Sequence, residues 1–371
     1  MKRTVEWDRR RFLQLMASTS SLGIAGSRFS WAASLAVAAR KANFAYIGAE
    51  HEIHVYSIAA DERFIRQQTI FSAHPVAMAI SGGNLYVANG VSEFGNLPCG
   101  SVEAYGIDAS TGQLELKNRV ALSLSGILPR DLAISPDGRS LVVAVHGGGA
   151  YNVLPIQADG RLGRVSGILK EVGSGPHASQ AAAHPSAVIF DRFGRLLTAD
   201  QGTDKLSVIS LSNGELMVAD RCKVIAGSGP SSIVLDHNGK RLFVAHALNG
   251  LVSSFNYNEK AGRILDRTNT VQASAVGEMA MLAMHPSGEM LYSSHGDGMD
   301  VWKIAANGSL EALTGVGGVQ VNGLYVTADG KNLLALSGDG VLRMKINPAT
   351  HLPSAPAKVA TVSKPVSIAI L

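Results

Sequence analysis

The stretch Leu132-Ala133-Ile134-Ser135-Pro136-Asp137-Gly138-Arg139-Ser140-Leu141-Val142-Val143-Ala144 decides the fold. An apolar alternation runs into a Gly-containing turn and then into a second apolar strand, the pattern of a β-hairpin. Asp-Gly suits a two-residue hairpin turn, because both central positions of such a turn want positive φ. The phrase returns as Ala79-Ile80-Ser81-Gly82-Gly83-Asn84-Leu85-Tyr86-Val87-Ala88 and around Phe193-Gly194, Asn238-Gly239, Ser287-Gly288 and Asp329-Gly330. Successive turn glycines lie roughly 40–55 residues apart, the period of a four-stranded propeller blade.

A seventh unit is split between the two ends of the chain. Phe44-Ala45-Tyr46-Ile47-Gly48 and His54-Val55-Tyr56-Ser57-Ile58 read as later strands of a blade that lacks its first strand. Pro365-Val366-Ser367-Ile368-Ala369-Ile370-Leu371 matches that missing strand, by analogy with Pro129-Arg130-Asp131-Leu132-Ala133-Ile134. The prediction is an all-β, seven-bladed β-propeller of four-stranded antiparallel blades, its ring closed by N- and C-terminal strands in one blade. Closure removes the sheet edge at the seam. No segment sustains helical periodicity. An eight-bladed ring is the alternative.

Composition agrees with many short strands and tight turns: 40 of the 371 residues are Gly and 17% are charged. The net charge of +4 is local. Lys2, Arg3, Arg9, Arg10, Arg11 and Arg28 outnumber Glu6 and Asp8 within residues 1–39, and the rest of the chain is neutral. No basic cluster follows residue 40, which excludes nucleic acid as a partner. Cys99 and Cys222 are too few for a cysteine zinc site and read as two unpaired thiols, with a single disulfide as the alternative.

Asp8-Arg9-Arg10-Arg11-Phe12-Leu13-Gln14 resembles a twin-arginine export motif. A short, mildly apolar run and Ala36-Val37-Ala38 follow it, in the order of an export leader with a cleavage site. The division expected is an export signal over 1–39 and a propeller domain over 40–371. The mature protein is expected in the periplasm as a monomer, with no membrane association once the signal is removed.

Blade topology sorts the polar residues. With strands counted outward from the axis, the Gly turns join the first two strands on the bottom face. The second-to-third loops and the connections between blades share the top. His146, Asp200, Asp204, His246 and His295 fall in the former; His74, Arg130, His184 and Glu278 fall in the latter. Loops on a rigid ring are where binding concentrates.

Gly147-Gly148-Gly149-Ala150-Tyr151-Asn152-Val153-Leu154-Pro155-Ile156, Gly173-Ser174-Gly175-Pro176 with Gln180, and Ala199-Asp200-Gln201-Gly202-Thr203-Asp204 resemble the lactonase propellers. That family includes bacterial 6-phosphogluconolactonases and fungal carboxymuconate cyclases. The resemblance covers nearly the whole mature chain and implies lactone hydrolysis. It departs where the chemistry would lie. The family's Pro-His-Ala-His is Ala183-His184-Pro185-Ser186 here, so one histidine remains. Its Gly-Pro-Arg-His is Gly229-Pro230-Ser231-Ser232, its Asn-Glu is His246-Ala247, and its Asn-Arg is Ser294-His295.

Lactone hydrolysis needs an activated water and a stabilised oxyanion. His184 is the candidate base. Asp200 and Asp204 are candidates to orient it or to position water, or else they cap the turn through Asx bonds. Arg130 is the candidate partner of the oxyanion or of a carboxylate, and pairing with Asp131 is its alternative. His146, Asp204, His246, His295 and Glu278 are candidate substrate contacts. The histidines lack H-x-H or H-x-x-x-H spacing, so no metal and no other cofactor is expected. Lost arginines and export argue against a phosphorylated substrate. The expected function is hydrolysis of an unphosphorylated sugar lactone or carboxylated lactone; the alternative is a catalytically inactive propeller that binds a ligand or a partner protein on its top face.

Overall fold

A computed structural model describes residues 43–274 and 281–371. The leader at 1–39 and Glu278 lie outside the described residues. Seven four-stranded antiparallel sheets form the blades, and the described residues contain no helix. Blade 1 is composite: Ser367–Ile370 is its inner strand and pairs with Asn43–Gly48, with Ala45 opposite Ile370 and Gly48 opposite Ser367. Blades 2 to 7 span residues 75–121, 129–170, 185–223, 230–272, 282–317 and 323–361.

Each blade shows two sequence patterns with two physical causes. Second strands such as Ser140–Val145 are continuous apolar runs because neighbouring blades cover both of their faces. Outer strands such as Glu215–Lys223 alternate between exposed and partly buried residues because only one face packs inward. The core is a ring of seven apolar wedges, one between each adjacent pair of blades. Cys99 and Cys222 are both unpaired thiols.

The bottom turns correct one expectation. Among the six repeated turns between first and second strands, only Gly82-Gly83 has positive φ at both central residues, 56° and 73°. At the other five repeats the glycine alone is left-handed, as at Gly138 with φ 70°. There the Gly138 amide donates to the Ser135 carbonyl and the Ser135 amide to the Ser140 carbonyl, a longer turn ended by a left-handed glycine. The Asp137 carboxylate selects it by accepting from Ser135 Oγ at 2.6 Å and the Arg139 amide at 3.1 Å. Asp329 repeats this with Thr327 and Lys331.

A second device shapes the top. His74, Leu128 and Gly229 all have positive φ, and each precedes a proline that opens an inner strand; Lys364 likewise precedes Pro365, two residues before the inner strand of blade 1. In blades 2 to 5 the pairing slips by one residue just after the proline that opens the inner strand, Pro75, Pro129, Pro185 and Pro230. Such a bulge re-aims one side chain, here Val76, Arg130, Ser186 and Ser231. Ser186 Oγ then reaches the Pro230 carbonyl of the next blade at 2.8 Å, and Asp131 accepts the Val188 amide at 2.9 Å. Ser367 likewise donates to the Pro75 carbonyl. The inner strands are stitched side by side by these bonds.

Candidate functional site

Four candidates come together where blade 3 meets blade 4. His146 directly follows the second strand of blade 3, and His184 lies just before the first strand of blade 4. Their rings stack with centroids 4.6 Å apart and planes 18° from parallel. His184 Nδ1 lies 3.1 Å from the His146 carbonyl oxygen. A carbonyl only accepts, so Nδ1 carries the proton and Nε2 carries the lone pair. Among the described residues Nε2 has no protein partner, and the ring is half-exposed.

Asp200 acts on backbone rather than on the imidazole. Its Oδ1 accepts the His184 amide at 2.8 Å and the Gly202 amide at 2.9 Å, which fixes the loop that carries the ring. Its Oδ2 is buried without a partner. A Cβ at Gly202 would overlap the Ala182 carbonyl, so the loop passes too close for any other residue. Burial holds His146 down to about 4, and the nearby Arg130 and His184 push the same way. His146 is therefore a neutral platform under His184 at neutral pH. Arg130 is exposed, on the blade 3 bulge. Burial raises Asp131 to about 6, although its oxygens accept the Leu132 and Val188 amides and Arg130 favours its charge.

The other candidates lie elsewhere, and their placement differs from the expected substrate contacts. Asp204 is buried, and its oxygens accept the Gly227 amide at 2.7 Å, the Gly229 amide at 2.8 Å and Gln180 Nε2 at 2.8 Å. It is a strut between the blade 4 loop and the connection to blade 5. His246 is fully buried, with Nδ1 2.9 Å from Ser228 Oγ and Nε2 2.9 Å from Ser253 Oγ. His295 is buried in blade 6, 3.4 Å from Ser274 Oγ and 3.8 Å from Asp300. His246 and His295 each end a buried second strand, and both side chains are enclosed there. Sequence reasoning passed over Gln201, whose amide adjoins His146 and favours its protonated form. Gln201 follows Asp200 directly, which was the only available signal. Among the described residues no three His, Cys, Asp or Glu side chains converge as a metal site.

Burial pushes His246 down to about 4, against an ordinary 6.5. Between those values the folded chain binds fewer protons than the unfolded one. The stability that this difference confers is complete above pH 6.5 and is lost as pH falls toward 4. His246→Asn removes the titration and is expected to flatten that fall by about 3 kcal/mol at pH 4. Urea unfolding at pH 7.5 and pH 4 measures it; an unaltered acid slope in the variant refutes the assignment.

Residues 29–369 match the family described as Lactonase, 7-bladed beta-propeller. An uncharacterized protein of Lactococcus lactis is 32% identical over 168 residues, 43% of this chain and 49% of that protein. The chain thus spans about half the length of the first curated relatives it matches. A 6-phosphogluconolactonase of Pectobacterium atrosepticum is 26% identical over 71% of this chain and 77% of that protein. The periplasmic gluconolactonase of Pseudomonas aeruginosa superposes with a TM-score of 0.78 at 20% identity, over 89% of this chain and 99% of that one, a likeness of fold. With seven closed blades and a family match that runs almost from end to end, the chain belongs to the seven-bladed β-propeller lactonase family.

Proposed function

We propose that this chain hydrolyses an unphosphorylated lactone, a sugar lactone or one that bears a carboxylate, at the corner of blades 3 and 4. The observation that carries the reading is the His184 ring: Nδ1 is held on the His146 carbonyl, so the basic nitrogen Nε2 is left for solvent. In this scheme Nε2 takes a proton from water as that water attacks the lactone carbonyl. Arg130 supplies positive charge to the oxyanion or to a substrate carboxylate. Collapse breaks the ring C–O bond, and the imidazolium returns its proton to the departing alkoxide. Asp200 keeps the His184 backbone in place, and the neutral His146 platform adds no competing charge.

Ser231 and Ser232 stand where the family carries Arg-His, which removes a bidentate partner for phosphate and favours an unphosphorylated ring. The name of the Pseudomonas aeruginosa neighbour, a periplasmic gluconolactonase, points to the same substrate class and compartment. Acid release from a panel of lactones, with and without phosphate, tests the reading. Turnover of unphosphorylated rings is expected, and no turnover above background across the panel overturns it in favour of a ligand-binding propeller. Export is tested separately: replacing Arg9 and Arg10 by Lys is expected to retain the precursor in the cytoplasm, and normal periplasmic accumulation overturns the leader assignment.

A further inference from the structure

Two top loops run side by side from the His184 corner to a cavity on the outer flank of blade 3. One covers residues 123–130 and the other 146–150. At one end stand Arg130 and His146. In the middle Gly147 packs on Ile127 and Leu128, close enough that a Cβ there would lie 2.9 Å from Ile127 Cγ1 and 3.2 Å from Leu128 Cβ. At the far end Gly148 packs on Ser125 and Gly126 and lines a cavity of about 410 Å³. Leu124, Val165, Ile168 and the stem of Lys170 form its walls. The cavity exists because the outer strand of blade 3, Gly167–Lys170, has 4 residues, against 9 and 10 in blades 4 and 5.

Apolar surface is left bare along this path. Leu128 is 43% exposed, Leu124 69% and Ile168 56%. Leu128 is held at φ 51°, with its amide on the Val91 carbonyl at 2.9 Å, so the backbone itself presents this side chain beside Arg130. A bulky residue in the left-handed region is uncommon, and the proline that follows restricts it further. The Lys170 ammonium is tied down on the Gly148 carbonyl and leaves the alkyl stem toward the cavity. A volume of this size suits a small ligand or a ligand segment.

We propose that the substrate is a lactone with an apolar alkyl or acyl tail: the ring sits at His184, and the tail runs over Leu128 into the cavity of blade 3. This rests on the lactonase reading and adds a specificity track to it. Leu128 and Ile168 are specificity residues, not catalytic ones. Each methylene buried along the track is expected to tighten binding roughly fourfold at most.

Calorimetric titration of the full chain with sodium butyrate and sodium decanoate tests the track without any turnover. Decanoate is expected to bind at least tenfold tighter than butyrate. Leu128→Asn and, independently, Ile168→Asp should each weaken decanoate at least tenfold, and Ile168→Asp should leave butyrate unchanged. Ile168 is on an exposed outer strand, so that variant keeps the test alive if Leu128→Asn fails to fold. Equal affinity for the two acids overturns the track, as does tight decanoate binding that neither substitution disturbs. A companion assay compares δ-lactones with and without a pentyl substituent. Decanoate binding without hydrolysis of either lactone defeats the lactonase reading and spares the track; hydrolysis of both at equal kcat/KM defeats the track alone.

Discussion

Deletion of residues 365–371 is expected to abolish the cooperative thermal transition and leave the chain insoluble. The segment is short, but it is the inner strand of blade 1. Its loss removes the pairing of Ala45, Tyr46, Ile47 and Gly48 with Ile370, Ala369, Ile368 and Ser367. It also removes the Ser367 bond to the Pro75 carbonyl and the Ala369 contribution to the wedge between blades 1 and 2. A four-stranded blade becomes three-stranded, and the second strand of that blade presents unpaired backbone groups to the channel, an edge prone to association. The net stability of a domain is only about 5–15 kcal/mol. Unsealing a ring whose core consists of wedges between blades exceeds that margin, because both wedges beside the seam lose packing together. Scanning calorimetry and size-exclusion chromatography of the truncated chain measure the effect. A soluble product with the melting temperature of the intact chain would show that these residues do not close the ring.

His184→Ala is expected to lower the lactonase rate by roughly two to four orders of magnitude, the scale for loss of a general base. The geometry behind this is specific to one nitrogen. The His146 carbonyl holds the Nδ1 proton, so the ring offers Nε2 in its basic form without any carboxylate against the imidazole. His184→Asn separates base from scaffold: its amide can still donate to the His146 carbonyl, but it offers no basic nitrogen. The two variants should therefore be equally inactive, with His184→Asn keeping the melting temperature of the parent. Near-parental kcat in His184→Asn overturns the base assignment and leaves His184 as a packing residue. Arg130→Ala should act mainly through KM if the guanidinium binds substrate, and equally on kcat and kcat/KM if it meets only the transition state.

The architecture was legible in the sequence because it depends on local chemistry that repeats. Apolar runs at blade spacing, Gly-containing turns and the complementary ends at 44–58 and 365–371 are each visible in a short window, and the structure has seven blades closed at that seam. The turns were partly misread because a side-chain bond competes with the tight turn: a carboxylate two residues from Ser135 or Thr327 selects a longer turn, in which only the glycine is left-handed. The site was less legible. Topology placed His146, His184, His246 and His295 in top loops, yet nothing in that register says which way a side chain at the end of a buried strand turns. His246 and His295 are instead enclosed, with hydroxyl partners on Ser228, Ser253 and Ser274 that lie 18, 7 and 21 residues away. His184 escapes because the Asp200 carboxylate holds its amide and a carbonyl from the neighbouring blade holds its Nδ1. Arg130 reaches the same corner through a one-residue slip in pairing just after Pro129. Blade number and ring closure can be read along the chain, since hairpin and strand patterns are short-range. Which polar residues share a corner emerges with the fold, because burial and inter-blade hydrogen bonds are set by partners on other strands.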